Sequence, residues 1–313
     1  MNPMNPTNPR PRTMQLMGRT VTLREDYSEA VNYNFKDFPA YISRGRLSLY
    51  PDYTWISHWH EDLEFIAVLS GEMDYNVNGE ITTLKAGEGI IVGSRQLHYG
   101  FSQERRDCDF ICILLHPLLF CTVPVVEQTY VAPASDPAAF SFLFLSPEVS
   151  WQARILQLLT RMYDALEQSH PILRIQTLGF EIWQELFLHL PKDCGQKRNH
   201  ASRQLSVLKD MIRFVHLHYD KKLSLADIAE AGSVCKSGCN DLFRRYLHKS
   251  PVAYLIEYRL QQSLRLLRTT DLSVTEIAVL TGFTDSSYFT KTFREHFSCS
   301  PRDYRKKTNI TSD

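Results

Sequence analysis

The chain has no Cys-x-x-Cys pair, no apolar run long enough to span a bilayer, and no net charge. Its seven cysteines are odd in number and scattered, which excludes a disulfide framework and argues against a structural zinc site. Cys235 and Cys239, four apart, read as reduced thiols in a helical region. A transmembrane helix needs about 20 consecutive apolar residues, and none occur. The start, MNPMNPTNPRPRT, lacks the apolar core of a signal peptide. These absences lead to the expectation of a cytoplasmic protein without membrane contact.

The balanced charge conceals an asymmetry. Residues 204–308 carry 17 Lys/Arg against 11 Asp/Glu, whereas residues 1–203 carry 18 against 23. A basic C-terminal part beside an acidic N-terminal part points to nucleic acid bound at one end only. The length of 313 residues suits about two domains.

Residues 272–305 carry the clearest pattern. Val274, Ile277, Ala278 and Thr281 recur at helical spacing, and Gly282 stands where the helix must end. Asp285, Ser286 and Ser287 offer capping oxygens to a second helix, whose buried side is Phe289, Phe293 and Phe297. This is a helix-turn-helix pattern. The outer side of the second helix holds Ser286, Ser287, Tyr288, Thr290, Lys291 and Arg294, groups that reach base edges and phosphates. The unit occurs twice, because LSLADIA at 223–229 matches LSVTEIA at 272–278, and FRRYLHKSPVAY at 243–254 matches FREHFSCSPRDY at 293–304. In the first copy the reading helix begins near Cys235 and Lys236, with Ser237, Asn240, Asp241 and Arg244 outward. A thiol at the cap, Gly238 in the first turn (about 1 kcal/mol) and the acidic Asp241 make it the weaker reader.

Gly282-Phe283, Ser287-Tyr288-Phe289, Phe293-Arg294 and Ser300-Pro301-x-x-Tyr304-Arg305 resemble the DNA-binding domain of AraC/XylS-family transcriptional regulators. The resemblance implies double-stranded DNA as partner. It assigns the DNA contacts to Lys236, Ser237, Asn240, Arg244, Ser286, Ser287, Lys291 and Arg294.

Upstream, apolar runs at 63–69, 73–77, 81–84, 89–92 and 110–115 read as strands, with turns at Gly71-Glu72 and Asn78-Gly79. Short strands at regular spacing suggest a small barrel or jelly roll. His58-Trp59-His60, Glu64, Gly71, Gly87 and His98 resemble the cupin pattern, although Gly93 stands near the place that usually holds proline. By that resemblance His58, His60, Glu64 and His98 are the metal constellation. The alternative is a metal-free pocket in which they bind an organic effector or one another, with Arg95 as a further pocket residue. Trp55, Trp59, Tyr99 and Phe101 are plausible partners. In regulators of this kind the metal-free pocket is the expectation, with no cofactor.

Two amphipathic helices follow over residues 150–190. They either close the barrel core or, by resemblance, carry a dimer contact. The expected organisation is α+β. A flexible arm (1–18) precedes a cupin-like β-barrel or jelly-roll sensor with two flanking helices (19–190). A linker (191–204) then leads to an all-α double helix-turn-helix domain (205–308). The function so implied is that of a homodimeric, ligand-responsive DNA-binding regulator. Its small-molecule effector would be a carbohydrate by preference, with RNA polymerase as a candidate contact. The rivals are a metal-dependent cupin enzyme fused to a DNA-binding module, and a ligand-independent regulator whose barrel serves only assembly.

Overall fold

The computed structural model describes residues 12–16, 19–23, 28–190 and 198–310. The first eleven residues of the expected arm and residues 191–197 of the expected linker lie outside that description. Strands β1 (Arg12–Leu16), β2 (Arg19–Leu23) and β3 (Glu29–Ala30) form a small antiparallel sheet. Residues 12–16 therefore belong to a strand and not to an arm. The proline-rich composition stops at residue 11, and β-branched Thr13, Thr20, Val21 and Thr22 favour pairing.

The N-terminal barrel is built from β4 (Ala40–Arg46), β5 (Leu63–Val77), β6 (Glu80–Lys85), β7 (Gly89–Val92), β8 (His98–Phe101), β9 (Cys108–Leu115) and β10 (Phe142–Leu145). One path runs β10-β7-β5-β9-β4, while β6 and β8 pair with the far half of β5. The turn expected at Gly71-Glu72 is absent, because β5 runs through it with a bulge between Val68 and Ser70. Gly71 takes a left-handed φ of 76°, so the strand bends there and serves both sheets. Asn78-Gly79 does form the expected hairpin, with φ of 53° and 89°, as a two-residue turn matched to strand twist requires.

Both faces of these strands are covered, which explains runs that are continuously apolar. Phe65, Ala67, Ile91, Ile111, Ile113 and Leu115 face a core closed by helices α1 (Ser150–Asp164) and α2 (Pro171–His189). Their neighbours Ile66, Val68, Ile90, Val92, Cys112 and Leu114 face the barrel interior. The flanking helices thus close the core.

The second domain comprises α3 (Arg198–His218), α4 (Leu225–Ala231), α5 (Lys236–Leu247), α6 (Pro251–Thr269), α7 (Val274–Leu280), α8 (Ser286–Phe297) and α9 (Pro301–Ile310). Helix α3 takes residues 198–204 from the expected linker. Polar Gln204 is helical because its Oε1 accepts from Arg245 Nη1 at 2.9 Å across to α5. No helix among the described residues is long and apolar enough to cross a membrane.

The duplication is visible in the caps. Ser224 with Asp227 and Ser273 with Glu276 form reciprocal capping boxes at α4 and α7. After each scaffold helix one residue must be left-handed. In the second unit it is Gly282, with φ 81°, and in the first it is Ser233, with φ 53°. A Cβ at Gly282 would collide with the Tyr219 carbonyl and the Arg259 guanidinium. Ser233→Gly is expected to raise stability by about 0.5–1 kcal/mol by relieving the strain, and Gly282→Ala to lower it by more than about 1 kcal/mol. Urea unfolding of the full chain checks both signs.

Candidate effector site and nucleic-acid interface

Glu64, buried on β5, organises the candidate site in the barrel. His60 Nε2 and His98 Nε2 each lie 3.2 Å from its Oε2, and the Tyr75 hydroxyl donates to its Oε1. His58 is bridged to His98 through backbone hydrogen bonds of 3.1 and 3.0 Å, and its Nε2 lies 3.5 Å from Glu29 Oε2 on β3. Burial disfavours the Glu64 anion. The charge of His98 and the hydrogen bonds from His60 and His98 outweigh that and hold its pKa well below the usual range. For His60, burial is outweighed by the hydrogen bond and charge of Glu64, and its pKa rises. His58, buried beside His98 and His60, is pushed well below its ordinary value.

The ring orientations are fixed from behind. Nδ1 of His58, His60 and His98 sits on the carbonyls of Ile56 (2.9 Å), Asp62 (3.1 Å) and Gln96 (2.9 Å). A carbonyl only accepts, so Nδ1 carries the proton in all three rings. Each Nε2 then faces a carboxylate, which leaves acceptor against acceptor unless positive charge enters. The raised pKa of His60 favours one such charge, and a divalent cation would supply two. The ligating atoms of His58, His60, Glu64 and His98 lie within 4.8 Å of one another. Three imidazoles and a carboxylate suit a first-row divalent ion, and the anchored Nδ1 atoms give the outer support such a site needs. The residues therefore fit a metal, and these four would hold it.

Beside the cluster is a cavity of about 40 Å³ lined by Tyr41, Tyr50, Trp55, Met73, Tyr75 and Phe110, among others. That is room for a few water molecules.

Not every expected pocket residue is there. Arg95 is exposed, with its guanidinium on Glu61 (2.7 Å) and its carbonyl accepting from Lys209 Nζ at 2.5 Å. Trp59, Tyr99 and Phe101 are buried against the second domain. The reason is the two-residue period of an extended chain. In β8, His98 and Gly100 look inward, so Tyr99 and Phe101 look out, and the Tyr99 hydroxyl donates to Leu247 O at 3.4 Å. In the segment before β5, His58 and His60 look inward while Ser57 meets the Tyr254 hydroxyl at 3.5 Å and Trp59 lies under Lys209, 5.1 Å away. Two residues of the cluster escaped the sequence reading. Tyr75 had a signal, a polar aromatic at an inward position between Met73 and Val77. Glu29 had none, because it arrives from outside the barrel.

In the second domain the reading helices α5 and α8 present Lys236, Ser237, Arg244, Ser287, Lys291 and Arg294 as exposed side chains, with Asn240 and Ser286 half-buried. Asn240 Nδ2 donates to its own helix at Lys236 O, 3.0 Å away. Asp285 caps α8 by accepting from Ser287 N at 2.7 Å, whereas Cys235 makes no side-chain cap on α5. A concave surface joins the α8 face to the starts of α7 and α9, bringing Lys291, Arg294 and Arg302 together.

A helix-turn-helix domain model matches residues 217–307 and a cupin domain model matches residues 46–114. The chain is 30% identical over 252 residues to the uncharacterized HTH-type transcriptional regulator YdeC of Bacillus subtilis, covering 80% of this chain and 85% of the relative. It is also 30% identical over 252 residues to the HTH-type transcriptional activator RhaR of Mannheimia succiniciproducens, covering 80% and 87%. Identity to the melibiose operon regulatory protein of Escherichia coli K12 is 24% over 281 residues, covering 84% and 92%. The chain belongs to the AraC family of transcriptional regulators. As an AraC-family member it is a DNA-binding regulator with a cupin-like domain ahead of its helix-turn-helix domain.

Two expected outcomes follow for this AraC-family regulator. Glu64→Ala leaves buried imidazoles and the Tyr75 hydroxyl without their anion and should cost about 3–5 kcal/mol, whereas Arg95→Ala should stay within about 0.5 kcal/mol. Denaturant titration separates them. On DNA, Lys291→Ala should cost roughly 1–3 kcal/mol on the specific site and at least as much discrimination as Asn240→Ala. Operator and random-sequence affinities across a salt series test this, since a residue that touches only phosphate would weaken all sequences alike.

Proposed function

We propose that this protein is a ligand-responsive, sequence-specific transcription regulator, not an enzyme, that couples a small organic effector in the sensor to DNA reading by the second domain. The observation that carries this reading is the shared wall. The two segments that supply His58, His60 and His98 to the cluster supply Ser57, Trp59, Tyr99 and Phe101 to the domain contact. Pockets for organic ligands occupy about 300–1,000 Å³, so an effector of that class needs the lining of the 40 Å³ cavity, to which His58 and Gly100 of the wall belong, to move. Such a ligand has differential affinity for two wall positions, which is what a population shift requires. A sugar is the preferred effector class, supported by the relative named for the melibiose operon.

The reading includes a homodimer in the cytoplasm. Leu173 and Leu188 on α2 are 72% and 61% exposed, apolar surface of the kind that marks protein contacts. DNA residues in this reading are Lys236, Ser237, Asn240, Arg244, Ser286, Ser287, Lys291 and Arg294. Effector residues are His58, His60, Glu64 and His98. The donor geometry favours one second reading, a metal held by those four residues, which would supply a positive charge to orient a ligand oxygen.

The test is a thermal-shift screen of mono- and disaccharides on wild type and His58→Ala, with elemental analysis of both. We expect a sugar at about 100 times its Kd to stabilise wild type by about 2.7 kcal/mol, the variant to lose that shift yet bind DNA, and no stoichiometric metal. Iron, zinc or manganese surviving dialysis, with no sugar response, would replace the effector reading with the metal one.

A further inference from the structure

We propose that Arg302, at the start of α9 and outside the reading helix, grips the DNA backbone beside α8, a contact for which the first unit has no equivalent. The inference rests on α8 being a reading helix and requires no effector.

An α-helix is about 10–12 Å across, and the major groove is about 12 Å wide. A helix that enters the groove therefore fills it, and its outward side chains meet base edges. The flanking phosphates are met by whatever stands beside the helix, and those contacts fix its position without reading sequence. Beside α8 lies the concave surface already described. It is lined by Ser287, Thr290, Lys291 and Arg294 of α8, by Thr275 in the first turn of α7 and by Arg302 in the first turn of α9.

The cations around this surface differ in how far they are committed. Lys291 Nζ lies 3.9 Å from Glu295. Arg305 donates from Nε to Leu267 O at 3.2 Å and from Nη2 to Leu272 O at 2.6 Å, so it ties the end of α6 to α9. Asp303 accepts from Ser300 Oγ at 2.5 Å. That hydrogen bond, with the charges of Lys306 and Arg294, holds its carboxyl below the usual range. Arg302 is exposed and makes no hydrogen bond or ion pair among the described residues. Its direction is set by the rest of the turn. Pro301 is buried, and the Tyr304 ring packs edge-on against Phe293 at 5.9 Å, which leaves Arg302 on the outer side of α9. Its charge is open to a phosphate without first leaving a carboxylate.

The duplication supplies the comparison. Arg302 falls on Val252, Lys291 on Asp241 and Thr275 on Ala226. Val252 holds the same second position of its own helix, α6, and is 47% exposed, yet it offers a phosphate nothing. The neighbouring cations do not replace Arg302 there. Arg245 is bonded to Gln204 at 2.9 Å and Lys249 to Glu257 at 2.5 Å. The first unit instead carries Lys236 at the start of its reading helix, where the second has Ser286. The repeated frame thus places its free positive charge differently in the two copies, at the head of α5 in one and beside α8 in the other.

The experiment measures the affinity of the full chain for a short random-sequence duplex and for the duplex that wild type enriches most from random DNA. Each phosphate contact contributes about 0.9 to the slope of log affinity against log salt. Arg302→Ala and Arg302→Gln should lower that slope by about 0.9, so that their deficit against wild type shrinks about threefold from about 50 to about 200 mM salt. The loss should be the same on both duplexes. Arg302→Lys should keep the wild-type slope, because an ammonium still neutralises a phosphate. Arg268→Ala removes an exposed cation of the same domain that does not line the concave surface, and should leave the slope unchanged. An unaltered slope in both neutral variants overturns the proposal. So does an equal fall in Arg268→Ala, which would be an effect of net charge, or a loss confined to the enriched duplex, which would make Arg302 a base reader. Lys291→Ala, measured alongside, keeps the two readings apart. Lost discrimination there, with an unaltered slope in the Arg302 variants, overturns the backbone contact and spares α8 as reader. Retained discrimination there, with a lowered Arg302 slope, leaves the backbone contact standing and removes Lys291 from base reading.

Discussion

A carboxylate taken out of water must be met by positive charge or by donors, and Glu64 is such a carboxylate. Most of the barrel's arrangement can be traced to that requirement. His60, His98 and Tyr75 converge on its two oxygens, which fixes the approach of β8 and of the segment ahead of β5. Because extended chains alternate, fixing the inward residues also fixes the outward ones. Trp59, Tyr99 and Phe101 are therefore presented to the second domain by the same geometry that satisfies Glu64. Their burial against Leu208, Met211, Phe243 and Tyr254 then makes the two domains one packed body along that seam.

The helix-turn-helix units were legible because their signals are local: capping residues, a turn glycine and apolar residues at helical spacing. Helices α7 and α8 lie where Val274, Gly282 and Phe289 placed them. The His and Glu cluster was legible as a set, since its spacing survives in the chain. What was not legible depended on pairing between distant segments. Whether Tyr99 lines a pocket or a domain contact is decided by register with Asn76 on β5, which spacing along β8 alone cannot reveal. Arg95 looked like a pocket cation beside His98, yet its left-handed backbone and its pairing with Glu61 turn it outward. The apparent linker misled for another reason. Gln204 at its end is polar because it meets Arg245 by hydrogen bonding across to α5.

The two units are alike in plan and unlike in support. Both have capping boxes, and both end the reading helix in a left-handed residue. Among the described residues only the first shares an apolar core with the N-terminal domain, and that unit also has the poorer cap, at Cys235, and the strained Ser233. A reading helix that is locally weak is held by long-range packing, while the locally better-formed α8 stands on its own Phe283, Phe289 and Phe293 core. Local propensity and tertiary support compensate each other across the duplication.

The shared core has a consequence for recombination. Regulators built from a sensor and a reader invite exchange of sensors at the polar stretch between them, as if that stretch were the only joint. Here a foreign barrel spliced at residue 197 would arrive without Trp59, Leu97, Tyr99 and Phe101, and the first unit would expose the apolar surface that they cover. Compatible exchange would have to carry β8 and the segment ahead of β5 along with the reader, or match their outward residues in the new barrel. The true unit of inheritance between sensor and reader is thus a pair of complementary surfaces, discontinuous in the chain.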